Sequence, residues 1–261
     1  PAQAAKPLAA SLPARNGRGR MSTWHFWIDR GGTFTDVVAS APDGALVVKK
    51  LLSVNPDRYA DAALEAIAQV LGEHGGRAGS VKLGSTVATN ALLERKGAGV
   101  VFVATEGFAD ALEIGTQARP DLFARHIVKP DLLYARVIEA RERVTAEGAV
   151  LTPLNEAHAR AALQQAYDEG MRAAAIACLH GWAFPAHEQR LAAIARDIGF
   201  TQVSISSEIS GLIKFIPRAD TTLADAYLSP VLRQYIDAFT AGLTGASASP
   251  PEALFMQSNG G

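Results

Sequence analysis

The chain has 261 residues, of which 48% are hydrophobic and 20% charged, with a formal net charge of −1. This composition is typical of a globular protein with a substantial core, and the balanced charge argues against nucleic acid as a partner. No run approaches the roughly 18 consecutive apolar residues of a membrane span, so we expect no membrane partner either. The single cysteine, Cys178, excludes an internal disulfide and predicts a reducing, cytoplasmic compartment.

The first 21 residues differ from the rest of the chain. Residues 1–20 contain four basic residues, three prolines and no acid, and they lack the apolar core of a secretory signal. We expect residues 1–21 to form a disordered leader. At the other end, residues 256–261 (MQSNGG) form a polar turn directly after an apolar run, which predicts that a longer protein continues beyond them.

The chain then opens with three predicted strands, at 24–29, 34–40 and 45–54. The connections between them are as short as Gly31-Gly32 and Pro42-Asp43-Gly44, and turns of that length join antiparallel neighbours. The sequence therefore predicts a three-stranded antiparallel meander.

Alternating helices and strands follow the meander. We predict helices at 57–74, 89–96, 107–114, 155–169, 186–198 and 221–241, and strands at 81–84, 99–104, 137–144, 173–179, 201–206 and from 253 onwards. Pro230 either kinks the helix at 221–241 or begins a second helix capped by Ser229. The pattern predicts an α/β fold with a mixed sheet.

The most informative motif lies at residues 28–36 (IDRGGTFTD), across the first turn of the meander. Gly31 and Gly32 let consecutive backbone N–H groups converge on an anion without a Cβ in the way. Thr33 and Thr35 add hydroxyl donors. We therefore predict that this hairpin binds the phosphate chain of a nucleotide cofactor.

Two acids bracket the same turn. Asp29 and Asp36 are hard oxygen ligands, so we predict that they hold magnesium and serve as the catalytic carboxylates. The alternative is a plain Gly-Gly turn with solvated acids. The motif is neither a P-loop, since no Gly-Lys-Ser/Thr opens a helix, nor a dinucleotide fingerprint, since no third glycine leads into a helix.

This hairpin resembles the first phosphate motif of the actin-like ATPase superfamily, whose RNase H-like fold begins with three antiparallel strands. The resemblance implies ATP and magnesium as cofactors. It also implies a second lobe that supplies the other phosphate loop and the adenosine pocket. No complete second loop of that kind precedes Gly261, so we expect the fold to be truncated before the second lobe is complete.

Further segments narrow the resemblance. They are residues 50–53 (KLLS), 84–97 (GSTVATNALLERKG), 114–123 (IGTQARPDLF), 206–208 (SSE), 216–218 (IPR), 224–230 (ADAYLSP) and 255–261 (FMQSNGG). Together they resemble the hydantoinase A/5-oxoprolinase family, and within it the N-terminal part of ATP-dependent 5-oxoprolinases. The resemblance implies an N-terminal domain at 22–215 and the start of a hydantoinase A-type domain at 216–261.

The family resemblance implies a reaction in which 5-oxo-L-proline, ATP and water give L-glutamate, ADP and phosphate. We expect the chain alone to be inactive, with the remainder of its own longer chain as partner and a homo-oligomer at full length. The alternatives are a subunit of an ATP-dependent hydantoinase or ketone carboxylase, and a non-catalytic interaction domain that keeps the actin-like fold.

Five residues outside the hairpin are candidates for binding the substrate. Thr86, Thr89 and Asn90 lie at a predicted strand-to-helix junction, where unpaired N–H groups favour an anion. Helix capping by Thr86 or Thr89 accounts for them equally well, and the resemblance favours the site. Arg119 and Arg218 each lie beside a proline, which predicts a fixed loop, and they suit bidentate recognition of a carboxylate or phosphate. The alternative, which either residue alone favours, is an exposed loop arginine without a binding role.

Overall fold

The computed structural model describes residues 22–116, 123, 125–126, 129, 131–245 and 250–257. The predicted leader at 1–21, the candidate Arg119 and the terminal residues 258–261 lie outside the described residues.

The strands are β1 (Thr23–Arg30), β2 (Phe34–Ser40), β3 (Leu46–Leu52), β4 (Arg77–Ser85), β5 (Val100–Thr105), β6 (Arg136–Ala140), β7 (Arg143–Val144), β8 (Val150–Thr152), β9 (Ala173–Ala177), β10 (Gln202–Ile205) and β11 (Glu252–Phe255). The helices are α1 (Ala62–His74), α2 (Val87–Leu93), α3 (Ala111–Ile114), α4 (Glu156–Asp168), α5 (Ala186–Ile198), α6 (Ser206–Ile209) and α7 (Phe215–Gly245).

The predicted mixed sheet is confirmed as a five-stranded sheet of order β11-β4-β1-β2-β3. Strands β1, β2 and β3 form the antiparallel meander, and β4 and β11 run parallel to β1. Because β1, β4 and β11 are parallel, their carboxyl ends meet at one edge of this sheet. The β1–β2 turn lies at the same edge.

A second, all-parallel sheet of order β10-β9-β5-β6 is separate from the first. The sequence analysis did not distinguish it, because alternating strands and helices give the same pattern whether their strands join one sheet or two. The described helices include none that is long and apolar enough to cross a membrane.

Helix α7 packs against both sheets. Near its end, Phe239 joins Phe26 of β1 and Val70 of α1 in the core under the first sheet. Near its start, Leu223 packs on Phe102 of β5, in the core on one face of the second sheet. Helices α4 and α5 cover the opposite face of that sheet.

The helix predicted at 221–241 is longer than expected and unbroken. It begins at Phe215 and passes through Pro230 without dividing, so the alternative of a second helix capped by Ser229 is wrong. Pro217 falls in its first turn, where the missing N–H removes no helical hydrogen bond. The loop that we predicted around Arg218 is therefore the first turn of α7.

Candidate phosphate site

The turn between β1 and β2 is held in one shape by its own backbone and by Ser53. Gly31 N–H donates to Phe34 O at 3.0 Å. Ser53 Oγ donates to Gly31 O at 2.7 Å, and Ser53 N–H donates to Thr33 O at 2.8 Å. The Gly31 N–H is therefore used within the turn, which leaves the N–H groups of the exposed Gly32 and Thr33 to meet an anion.

Thr35 does not face the predicted phosphate. Strand alternation places its side chain inside the protein, fully buried, where its Oγ1 lies 3.0 Å from Ser53 Oγ. We expected a hydroxyl donor for the ligand, but the structure gives Thr35 a part in fixing the hairpin. Thr33, by contrast, is exposed at the turn.

Asp29 and Asp36 lie directly opposite each other in the β1–β2 pair, on the exposed face of the sheet. Lys50 on β3 is the cross-strand neighbour of Asp36, and its Nζ donates to the two carboxylate oxygens at 2.8 and 3.1 Å. The carboxylate of Asp29 lies near Gly84 of β4, which has no side chain to cover it.

The two acids fit a magnesium ion that takes most of its ligands from water and phosphate. Magnesium bound with a nucleotide commonly uses only one or two protein carboxylates. Within the described ranges, no group of three or more His, Cys, Asp or Glu side chains could hold a metal ion. The predicted site therefore needs phosphate oxygens to complete it, and Asp36 would have to share its carboxylate between the ion and Lys50.

The residues at the start of α2 meet the turn of the hairpin. The N–H and the hydroxyl of Thr86 both donate to Arg30 O, at 3.1 and 3.2 Å. A Cβ at Gly32 would lie 3.1 Å from Asn90 Nδ2, so the amide of Asn90 packs directly on the glycine turn. The structure thus brings together two sequence motifs that lie more than 50 residues apart.

The capping alternative for these threonines is not what the structure shows. Thr86 occupies the N-cap position of α2, but its side chain accepts no capping hydrogen bond, and its hydroxyl donates to Arg30 O instead. Thr89 is exposed on α2. The binding roles of Thr86, Thr89 and Asn90 stay predictions.

Arg218 lies away from the hairpin, fully buried beside the second sheet. Its Nη2 donates to Cys178 O and Leu179 O at 3.0 and 2.9 Å, and its Nη1 donates to Ser206 Oγ. Nη1 also lies 3.6 Å from Oε1 of the buried Glu188. These internal acceptors correct our expectation of a loop arginine that recognises a substrate anion.

Cys178 belongs to the same buried network, since its carbonyl oxygen accepts a hydrogen bond from Arg218 and its N–H donates to Glu188. The residue is 4% exposed. Burial, reinforced by the carboxylates of Glu142 and Glu188, raises the pKa of its thiol well above the usual range. The thiol is therefore protonated at neutral pH and does not suit a nucleophile.

A cluster around Arg30, on the opposite face of β1 from Asp29, was not predicted from the sequence. The Arg30 guanidinium lies 4.7 Å from the ring centre of Tyr235, and its Nε lies 3.7 Å from Asp61 Oδ2. Burial, with Asp61 nearby, raises the pKa of the Tyr235 hydroxyl. In the sequence, the only sign of this cluster is that Arg30 lies next to Gly31, because Asp61 and Tyr235 are distant along the chain.

Residues 25–199 match the family model described as hydantoinase/oxoprolinase N-terminal region. The chain belongs to the hydantoinase/oxoprolinase family. It is 40% identical over 276 residues to 5-oxoprolinase of Saccharomyces cerevisiae and 38% identical over 270 residues to 5-oxoprolinase 1 of Arabidopsis thaliana. Each alignment covers 90% of this chain and 21% of the relative, so the chain spans about a fifth of the length of these family members.

Solved structures of two other proteins share this fold. The ATP-dependent caprolactamase from Pseudomonas jessenii has a TM-score of 0.79 at 29% identity, covering 91% of this chain and 36% of the caprolactamase chain. The nucleotide-free structure of acetone carboxylase, an enzyme of ATP-dependent acetone carboxylation, has a TM-score of 0.65 at 22% identity, covering 85% of this chain and 35% of the carboxylase chain. The fold expected of this family is therefore confirmed.

Proposed function

We propose that this chain is the N-terminal, phosphate-binding part of an ATP-dependent 5-oxoprolinase. The observation that carries the proposal is the packing of Asn90 on the Gly32 turn, beside the N–H groups of Gly32 and Thr33. This arrangement offers converging donors to one anion. The 5-oxoprolinases of yeast and Arabidopsis, similar along 90% of this chain, favour that activity over others in the family.

The chemistry explains why a lactam hydrolase would use ATP. The amide of 5-oxoproline is resonance-stabilised and a poor electrophile. Transfer of the γ-phosphoryl group to the amide oxygen forms an O–P bond and breaks the bond to ADP. A first water then attacks the activated carbon, and the C–N bond breaks as the ring nitrogen takes up a proton to become the amine of glutamate. A second water hydrolyses the resulting acyl phosphate, which releases phosphate and leaves the side-chain carboxylate of glutamate. Such a site acts mainly by positioning and charge neutralisation.

The chain's own residues would bind the phosphates with one group of donors and the magnesium ion with two carboxylates. The N–H groups of Gly32 and Thr33 would hold phosphate oxygens, and the amide of Asn90 would orient them. Asp29 would hold magnesium through its waters, with Asp36 as its neighbour. When bound, magnesium would neutralise charge on the phosphates. We further propose that the adenosine pocket and the second phosphate loop belong to the rest of a longer, oligomeric protein.

Replacing Asp29 with Asn in the full-length protein tests this function. We expect 5-oxoproline-dependent ATP hydrolysis to fall roughly 10- to 100-fold, because a carboxylate that would hold the magnesium through its waters is lost. Asp131→Asn is the matched control, because the side chain of Asp131 is 91% exposed and, among the described residues, its one ion pair is with Arg95 at 3.9 Å. Unchanged turnover in Asp29→Asn would contradict an enzymatic role for the hairpin and favour a non-catalytic interaction domain.

A second candidate is a related ATP-dependent enzyme with another substrate. The likeness to caprolactamase, at a TM-score of 0.79, favours lactams as a class over ketones. ATP hydrolysis that responds to a different lactam, a hydantoin or a ketone, and not to 5-oxoproline, would select this candidate. Measurable ATP turnover by the 261-residue chain alone would contradict our proposal that the chain needs a second lobe.

A further inference from the structure

A polar cleft adjoins the phosphate hairpin and has no role in the site described above. Its volume is about 440 Å³, within the roughly 300–1,000 Å³ typical of small-molecule sites. It lies between Arg30 and the segment from Ser53 to Ala60, which connects β3 to α1. Arg30 and Arg58 contribute two positive charges to its lining, and Asp57 contributes one negative charge.

Arg30 has hydrogen-bonding capacity that the described part of the chain does not use. Its Nε is buried and finds no hydrogen-bond partner among those residues. The nearby carboxylate of Asp61 accepts hydrogen bonds from Ala63 N–H and Leu64 N–H through Oδ1, and its Oδ2 lies 3.7 Å from the Arg30 Nε, beyond hydrogen-bond distance. A buried guanidinium donor without a partner is costly, and a bound anion would satisfy it.

The other wall of the cleft is also fixed. Arg58 N–H and Tyr59 N–H both donate to Asn55 O at 3.0 Å, and Tyr59 Oη donates to Leu52 O at 2.7 Å. These bonds hold the backbone around Arg58 in a turn that is anchored to β3. The side chain of Arg58 is exposed and lines the cleft.

The cleft and the phosphate hairpin share a wall. Ser53 lines the cleft and donates its hydroxyl to Gly31 O, and Arg30 immediately precedes Gly31. A small molecule in the cleft would therefore lie beside the turn that is predicted to hold the phosphates. Phosphoryl transfer needs the amide oxygen of the substrate to lie close to the γ-phosphate, and the position of the cleft suits that requirement.

We propose that this cleft binds the substrate through a carboxylate group, held by Arg30 and Arg58. The proposal rests on the function proposed above and deepens it, because it selects cyclic amides that carry a carboxylate over neutral lactams. Asn55 and Asp57 supply acceptors for the N–H of the ring. Caprolactam has no carboxylate, so the cleft would distinguish 5-oxoproline from that kind of substrate.

The first test compares Arg58→Gln with wild type in the full-length protein. We expect the KM for 5-oxoproline to rise roughly 10- to 100-fold, because a charged hydrogen bond to the substrate is lost, with the KM for ATP unchanged. Arg77→Gln is the matched control, since Arg77 is exposed at the amino end of β4, the edge of the sheet opposite the hairpin. A KM for 5-oxoproline within twofold of wild type would overturn the proposal.

The second test measures binding without turnover, by calorimetry with 5-oxoproline and with 2-pyrrolidinone, the same ring without the carboxylate. Wild type should bind 5-oxoproline at least tenfold more tightly, and both Arg58→Gln and Arg30→Lys should remove that preference. Equal affinity of wild type for the two rings would overturn the proposal. If the preference is present but ATP is not hydrolysed, the proposed function fails and the carboxylate cleft stands.

Discussion

Replacing Glu188 with Gln should strongly destabilise the protein without touching the phosphate hairpin. Glu188 is completely buried at the start of α5. Its carboxylate accepts hydrogen bonds from Cys178 N–H at 2.8 Å and Ser207 N–H at 2.9 Å, and from the Ser206 hydroxyl. It is also the counter-ion of the buried Arg218, at 3.6 Å.

The expected magnitude follows from what the amide cannot do. Donors approach both oxygens of Glu188, so the NH₂ group of Gln would face an N–H or hydroxyl donor and leave it unsatisfied, at about 1–3 kcal/mol. The charge of Arg218 would also lose its partner, and breaking a buried ion pair costs about 3–5 kcal/mol. The two effects overlap, so we expect a loss of about 3 kcal/mol.

Thermal unfolding of the 261-residue chain, followed by circular dichroism, measures this loss. For a chain of this size, about 3 kcal/mol corresponds to a decrease in Tm of roughly 6–12 °C. Glu208→Gln, with the same change of charge on an exposed residue of α6, should change stability by less than about 0.5 kcal/mol. A shift below about 2 °C in Glu188→Gln would refute the assignment of Glu188 and Arg218 to a structural network.

Three further predictions concern individual side chains. Gly32→Ala would place a Cβ 3.1 Å from Asn90 Nδ2. We therefore expect ATP hydrolysis by the full-length protein to fall about tenfold, while Tm stays close to wild type. Full activity would contradict the packing of Asn90 on the turn as a requirement for activity. Thr35→Val removes a buried hydrogen bond to Ser53 and should cost about 1 kcal/mol in denaturant unfolding, with the KM for ATP unchanged; a raised KM would restore Thr35 as a ligand donor. Because the pKa of Cys178 is raised, its thiol should stay protonated and unreactive towards a disulfide reagent at pH 8. The thiol should react once the protein is unfolded. Rapid reaction of the native protein would contradict the burial of Cys178.

Local sequence patterns predicted most elements of this fold, although the helix expected at 57–74 begins only at Ala62, the strand expected at 137–144 is divided into β6 and β7, and β8 and α6 were not predicted. The helix predicted at 186–198 coincides with α5, and the strand predicted at 34–40 coincides with β2. The helix predicted to begin at residue 155 is α4, and Asn155 caps it by accepting a hydrogen bond from His158 N–H. These elements depend on periodicity, capping and turn residues, all of which act within a few positions of the chain.

The division into two sheets depends on contacts between distant residues, which no local pattern reveals. Strand β11 is 167 positions or more beyond β4 in the chain, yet it pairs with β4 through residues such as Phe255 and Leu83. The same limit applies to α7, whose two ends pack under different sheets. The domain boundary predicted at 215/216 stays a prediction.

The candidate site was partly predictable for the same reason. The motif around Gly31 and Gly32 identified the turn, because glycine pairs, hydroxyls and acids are close in sequence. Strand alternation could have shown that Thr35 faces the core, since its side chain lies on the same side of β2 as the buried Val37. The internal partners of Arg218 and the neighbours of Arg30 come from other elements, and only the fold brings them together.

The central claim is that this hairpin holds phosphate in an enzyme that couples ATP hydrolysis to lactam opening. Its most direct test measures phosphate and glutamate release together in the full-length protein, with and without 5-oxoproline. The account predicts equal amounts of the two products, both dependent on 5-oxoproline and both lost in Asp29→Asn. ATP hydrolysis that does not depend on 5-oxoproline, or glutamate release that persists in Asp29→Asn, would contradict this claim.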